Sequence, residues 1–286
     1  MKCNLCPRKC NVDRDNPSAL GFCGCLNQIK IAKWGLFDFE EPCISLNKGS
    51  GAIFFSGCNL ACVFCQNYQI SALHNGKNIS TEELIDIFKQ LESMGAENIN
   101  LVSPMHYALK IVEALKIYRP KIPIVYNTNA YESENIISYV APFVDIFLPD
   151  LKYHSSSLSE KFSNAKDYYD VAIKAIKKMR GLKQDKFDLN GKMHEGVLIR
   201  HMILPLCTDD SIAVLNSIKQ NFPNTKVSLM SQYTPQHKAV NIKALNRRIT
   251  LREYNKVLDE YIKLNLDGYI QELSSANTIY IPNFND

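Results

Sequence analysis

Cys58, Cys62 and Cys65 stand in the run Ser56-Gly57-Cys58-Asn59-Leu60-Ala61-Cys62-Val63-Phe64-Cys65-Gln66-Asn67, just after the strand-like stretch 51–56. Three thiolates so close together can grip three corners of an iron–sulfur cube, and such clusters are ordinarily held by four cysteines. No fourth cysteine follows locally, so one iron is left open to bind and activate a ligand. The flanking Gly57, Asn59, Gln66 and Asn67 favour a loop over a helix. Clustered cysteines without a secretory context point to metal or catalytic use rather than to small buried hydrophobes.

A second group of thiols opens the chain: Cys3, Cys6 and Cys10, then Cys23 and Cys25. Tetrahedral sulfur coordination suits zinc and an iron–sulfur cluster equally. The first pair has zinc-knuckle spacing, and a short segment with few apolar residues needs a metal as its staple. Cys3, Cys6, Cys10 and Cys23 are the expected ligands of a second site, with Cys25 as the alternative to Cys23. Cys43 and Cys207 are isolated and read as structural.

The elements that must position these groups are legible in outline. With 286 residues, 46% hydrophobic and 22% charged, the chain has material for a sizeable core, and strand–helix barrels often reach 200–250 residues as one unit. A formal charge of +4 without a concentrated basic stripe argues against nucleic acid as a partner. Met1-Lys2 leads straight into Cys3 rather than into an apolar stretch, and no uncharged run is long enough to span a bilayer. A reducing, cytoplasmic location is the expectation.

Residues 1–48 read as an irregular cysteine-rich leader and 49–286 as the main unit. Strand-like runs are expected at 51–56, 98–103, 122–128, 143–148, 197–204 and 226–231. Helical patterns lie between them at 81–94, 104–118, 133–140, 166–180 and 209–221, with a last one at 251–264. Ser80/Glu83 and Thr250/Glu253 have capping-box spacing. Alternating strands and helices imply an α/β fold with a parallel sheet, and functional residues at the C-terminal strand ends. Six units are too few for a closed eight-fold barrel. The polar stretch 181–196 reads as a surface insertion.

Three and then two residues between the cysteines is the pattern of the radical S-adenosylmethionine (SAM) enzymes. The chain resembles them, most closely the branch similar to pyruvate formate-lyase activating enzyme, over about residues 50–240. The resemblance implies a partial (β/α)6 TIM-type barrel, a [4Fe-4S] cluster on Cys58, Cys62 and Cys65, and SAM chelated by the open iron. It also implies reductive cleavage to a 5′-deoxyadenosyl radical. Phe64 matches an aromatic position near the adenine. Where many relatives carry Gly-Gly-Glu for the methionine amino group, this chain has Ser103-Pro104-Met105-His106, leaving Ser103 and His106 as substitutes. Asn127 and Asn129 suit sugar hydroxyls. Asp150-Leu151-Lys152 resembles the run whose lysine contacts the SAM carboxylate. Arg200 matches an arginine facing the barrel interior near SAM, and is equally suited to a structural ion pair. Gln232 aligns with a histidine that approaches the ribose, whereas Tyr233 reads equally well as packing.

As partners the resemblance implies an electron donor such as flavodoxin or ferredoxin and a glycyl-radical enzyme, with a peptide or small molecule as the alternative substrate. The competing class is a non-catalytic iron–sulfur or zinc protein. No residue stands out as a catalytic acid or base.

Overall fold

Burial on both faces of the central strands sets the architecture of this computed structural model, which describes residues 2–284. Strands β1 (Ile29–Phe37), β2 (Ser50–Phe55), β3 (Lys77–Ile79), β4 (Ile99–Val102), β5 (Ile124–Thr128), β6 (Ile146–Pro149), β7 (Lys186–Phe187), β8 (Met193–Met202), β9 (Lys226–Met230) and β10 (Gly268–Ile270) share one sheet. Its order is β10-β9-β8-β6-β5-β4-β2-β1-β3, with β7 on β8. From β2 to β10 the neighbours along this order are parallel, while β1 pairs antiparallel with β2 and β3 antiparallel with β1. The ladder ends at β3 and β10, so the barrel is open.

Successive side chains of a strand point to opposite faces. Ile53, Leu101, Tyr126, Phe147, Ile199 and Leu229 therefore join the large core under the helices. Their neighbours Val125, Leu148 and Leu198 fill a smaller cluster on the inner face. Continuing the inward register past these apolar residues brings Asn127, Asp150 and Arg200 to the inside at the C-terminal strand ends.

The helices are α1 (Tyr68–Ser71), α2 (Thr81–Ser93), α3 (Ala108–Ile117), α4 (Glu134–Val140), α5 (Ser156–Ser163), α6 (Tyr168–Leu182), α7 (Thr208–Asn221) and α8 (Leu251–Lys263). Both expected capping boxes form, at Ser80 and Thr250.

Two local readings need correction. The leader is not irregular throughout: residues 29–37 form β1, so the boundary expected at 48/49 falls between two paired strands. Its next turn forms the barrel floor. There Cys43 and Ile44 join Val125, Ile146 and Leu198, the Cys43 carbonyl accepts the Met193 amide (2.8 Å), and the Ile44 carbonyl accepts the Asn98 side-chain amide (2.8 Å). Within the stretch read as a surface insertion, β7 folds back antiparallel on β8 as a hairpin.

Candidate functional site

β2 ends at Phe55 and the chain enters the three-cysteine loop through Gly57, whose φ is +91°. The turn requires glycine twice over. A Cβ there would lie 2.1 Å from the Cys25 sulfur and 2.8 Å from the Cys23 carbonyl oxygen. Gly57→Ala should destabilise the protein by more than about 1 kcal/mol, because both the conformation and the space are denied to alanine. Chemical denaturation measures this; an unchanged midpoint would mean that the loop is held differently.

Beyond Gly57 the loop is tied to its surroundings by backbone. The Ala61 amide donates to Ser163 (3.2 Å), Val63 to Phe162 (2.8 Å) and Ala239 to Val63 (2.8 Å). The three thiols face a cavity of about 220 Å3 at the C-terminal ends of the strands. Each sulfur has a polar neighbour: Asn129 Nδ2 donates to Cys58 Sγ (3.4 Å), Ser163 Oγ to Cys62 Sγ (3.0 Å), and Ser71 Oγ lies 3.2 Å from Cys65 Sγ. Burial pushes the Cys58 thiol up to about 12 and that of Cys65 to about 11, and raises Cys62 as well. The Lys152 charge opposes the rise at all three. Thiols so placed keep their protons until a metal displaces them.

Opposite the loop lies a buried ionic network. Arg200 Nε donates to Asp150 Oδ1 (2.8 Å), Arg200 Nη2 to Asn127 Oδ1 (2.7 Å), and Lys152 Nζ to Asp150 Oδ2 (2.7 Å). Burial works against the Asp150 carboxylate, but the charges of Arg200 and Lys152 win and hold its pKa below the usual value. Arg200 is thus both a structural ion-pair partner and a wall of the cavity.

Phe64, Ser103, Asn127, Asn129, Asp150, Lys152, Arg200 and Gln232 all line this cavity. Ser103 has φ +57°, a left-handed conformation that glycine adopts freely, at the strand end where the expected Gly-Gly-Glu is missing. Gln232 Oε1 accepts from Gln271 Nε2 (3.2 Å). Tyr233 is packing: its ring sits 6.0 Å from that of Phe64 and its hydroxyl donates to the Leu245 carbonyl (2.8 Å).

His106 is the exception. After Ser103 and Pro104 the chain enters a short 3-10 turn (Met105–Tyr107) that carries the imidazole away from the cavity. Burial lowers its pKa to about 3, and the neutral ring donates from Nε2 to the Ser56 carbonyl (2.7 Å). It supports the loop from behind, next to the leader.

Sequence reasoning missed Glu40 and Glu41, which rise from the barrel floor into the same cavity. Glu40 Oε1 accepts from Asn100 Nδ2 (2.7 Å), Glu40 Oε2 lies 3.8 Å from Arg200, and Glu41 Oε2 accepts from Ser228 Oγ (2.7 Å). Burial raises both pKa values, Glu40 to about 7. Two adjacent acids before Pro42 look like a solvated turn. Arg200, with the hydrogen bonds from Asn100 and Ser228, offsets their burial, and all three are distant in sequence.

Glu132, behind β5, gives a pH test when it is read as the difference between the protein and its Gln variant, because Glu40 titrates in the same window. Burial raises its pKa from the ordinary 4.5 to about 7, against hydrogen bonds from Thr128 Oγ1 (2.5 Å) and Tyr126 OH (3.4 Å). The folded state therefore holds this proton more tightly than the unfolded chain. The contribution is complete below pH 4.5 and is lost as pH rises towards 7, by at most roughly 3 kcal/mol. Denaturation across that window should show the decline, and Glu132→Gln should remove its share. An equal slope in the variant would contradict the assignment.

The three sulfurs fit an iron–sulfur cube. They open on one cavity, each beside a group that can hydrogen-bond it, with a lysine for charge compensation, and no fourth cysteine lines that cavity among the described residues. Among those residues no three His, Cys, Asp or Glu side chains stand where they would hold a single ion.

Comparison with known proteins agrees with this geometry. Residues 52–218, more than half of the chain, match the family model of the radical SAM superfamily. An uncharacterised protein of Methanocaldococcus jannaschii is 31% identical over 278 residues, covering 93% of this chain and 75% of that one. The pyruvate formate-lyase-activating enzyme of Clostridium pasteurianum is 25% identical over 232 residues, covering 77% and 90%. Among solved structures, Streptococcus suis SuiB bound to its precursor peptide SuiA superposes with TM-score 0.52 at 14% identity, over 77% of this chain and 48% of that one. HydG, a maturase of the [FeFe]-hydrogenase, gives 0.51 at 13%, over 78% and 52%. This chain spans about half the length of each of these two, and the likeness concerns the fold. No helix among the described residues is long and apolar enough to cross a membrane.

Proposed function

This chain belongs to the radical SAM superfamily, and we propose that it cleaves SAM reductively at the Cys58–Cys65 loop and abstracts hydrogen from a substrate. The superfamily implies a [4Fe-4S] cluster and SAM; together they supply an electron and a carbon radical that no side chain provides. The observation that carries the reading is the cavity with three cysteines on one wall and the Asp150–Arg200–Lys152 network on the other.

The residues divide the work. Cys58, Cys62 and Cys65 hold the cluster, and Asn129, Ser163 and Ser71 orient their sulfurs. Lys152, anchored by Asp150, offers a point charge to the methionine carboxylate. The Ser103 hydroxyl and the carbonyls beside it offer acceptors for the amino group. Asn127, Asn129 and Gln232 offer amides to the ribose hydroxyls, and Phe64 packs near the adenine. The buried walls exclude water from a reactive intermediate.

The likeness to a pyruvate formate-lyase-activating enzyme supports a glycine α-carbon in a partner protein as the site of abstraction, with a flavodoxin- or ferredoxin-like electron donor. The test is anaerobic reconstitution followed by SAM and a strong reductant. Methionine and 5′-deoxyadenosine should form in equal amounts, and failure to form either would overturn the reading. Deuterium carried from an α-labelled glycyl partner into deoxyadenosine tests the substrate class separately.

A further inference from the structure

Behind the cluster loop the leader folds around a second, smaller hollow. Residues 2 and 13 form an antiparallel bridge, the Cys3 amide donates to Val12 (2.7 Å) and the Asn11 amide returns to Cys3 (2.9 Å). Between them the chain turns tightly, with Lys9 and Asn11 at positive φ and the Lys9 amide on the Cys6 carbonyl (3.0 Å). This doubling back brings Cys3, Cys6 and Cys10 to the same void as Cys23, a space of about 20 Å3. Two of these sulfurs already accept main-chain amides, Cys6 from Arg8 and Cys10 from Phe22 (3.3 Å). Cys25 lines the void as well but is engaged differently. Its buried thiol points to the Ser56 carbonyl (3.3 Å) and the Cys23 carbonyl (3.2 Å), which uses its proton as a donor.

Arg14 supplies an independent argument. It is 8% exposed, lines the same void, and gives its guanidinium only to carbonyls: Cys25 (3.3 Å), His106 (2.5 Å) and Leu26 (2.5 Å). No carboxylate among the described residues pairs with it. A buried cation without a counter-charge is costly, and four thiolates around a divalent ion carry two net negative charges.

We propose that Cys3, Cys6, Cys10 and Cys23 hold one zinc ion, with Arg14 as its buried counter-cation. The void, at about 20 Å3, favours one of the two thiophilic centres by its size. It has room for roughly one water-sized atom, which suits a single tetrahedral ion and not an eight-atom cube. Among the described residues no three such side chains already stand at single-ion ligating positions, so the ion itself draws the site closed.

The position gives the ion a structural task. Arg14 holds the His106 carbonyl, and His106 holds that of Ser56. Arg8 Nε donates to the Asn59 carbonyl (2.9 Å), and Ser133 Oγ to that of Leu5 (2.7 Å). Zinc would thus brace the loop on both sides of Cys58, whatever that loop binds.

The test is metal analysis of the full chain with Cys58, Cys62 and Cys65 all replaced by alanine, so that no iron bound at the central loop can confuse the count. It should contain about one equivalent of zinc and almost no iron. Adding Cys6→Ser or Cys10→Ser should lower zinc roughly tenfold or more, whereas Cys25→Ala should keep it. Folded protein without zinc, iron at cluster stoichiometry in its place, or zinc that survives Cys6→Ser would each overturn the proposal. Should the variants not fold, the zinc-to-iron ratio of the unaltered, anaerobically reconstituted chain decides. About one zinc beside about four irons supports the site, whereas no zinc, or about eight irons, overturns it.

Discussion

Replacing Cys58 with alanine should strip iron from the central loop and bring 5′-deoxyadenosine formation to the level of a protein-free control, while the fold survives. The loop's course is set by backbone bonds at Ala61, Val63 and Ala239, so a lost thiol removes a ligand rather than a support. Altering a group that merely orients a metal ligand typically costs 10–100-fold in affinity or activity, and losing the ligand itself costs more. Asn129→Ala, which removes the amide beside the Cys58 sulfur, should fall in that lower range and keep its iron. Iron analysis and product chromatography on the two variants separate the cases. A Cys58→Ala protein with full iron would show that the cube is held elsewhere.

The second large effect concerns stability. Arg200→Met should destabilise the protein at neutral pH by about 3–5 kcal/mol, because removing one partner strands the others. Asp150 would keep only Lys152, and Glu40 and Glu41 would lose the nearby guanidinium that opposes their burial. Double replacement with Asp150→Leu should cost less than the sum of the single changes, with coupling on the order of 0.5–3 kcal/mol. Denaturant midpoints of the four proteins provide the cycle. Strict additivity would mean that the ion pair seen at 2.8 Å contributes nothing in solution.

The six central parallel strands were legible because a strand buried on both faces reads as a nearly continuous apolar run. Leu198-Ile199-Arg200 shows how this helped the site: a charge inside such a run had to be paired or turned into a cavity, and Arg200 is both. The three cysteines stood out by type and spacing, and most strand-end candidates came from the family resemblance combined with their position at the strand ends. Other features depended on tertiary context. β1 lies in a cysteine-rich leader whose partner strand comes later, so nothing local marked 29–37 as part of the sheet. Glu40 and Glu41 have the sequence of an exposed turn and are buried only because the barrel floor needed a plug. His106 shared its strand end with Ser103, but a left-handed residue followed by proline rotated it to the far side. Gln271 and Tyr280, which also line the cavity, follow the last long helix, where no motif points to them.

One spectroscopic titration goes to the heart of the matter. The cluster is reconstituted anaerobically and reduced, and its electron paramagnetic resonance is recorded before and after SAM is added. A cube held by Cys58, Cys62 and Cys65 with one accessible iron should change its signal on addition, in proportion to bound SAM. A reduced cluster whose spectrum is indifferent to saturating SAM has no vacant iron, and the assignment of this cavity to SAM chemistry would then be wrong.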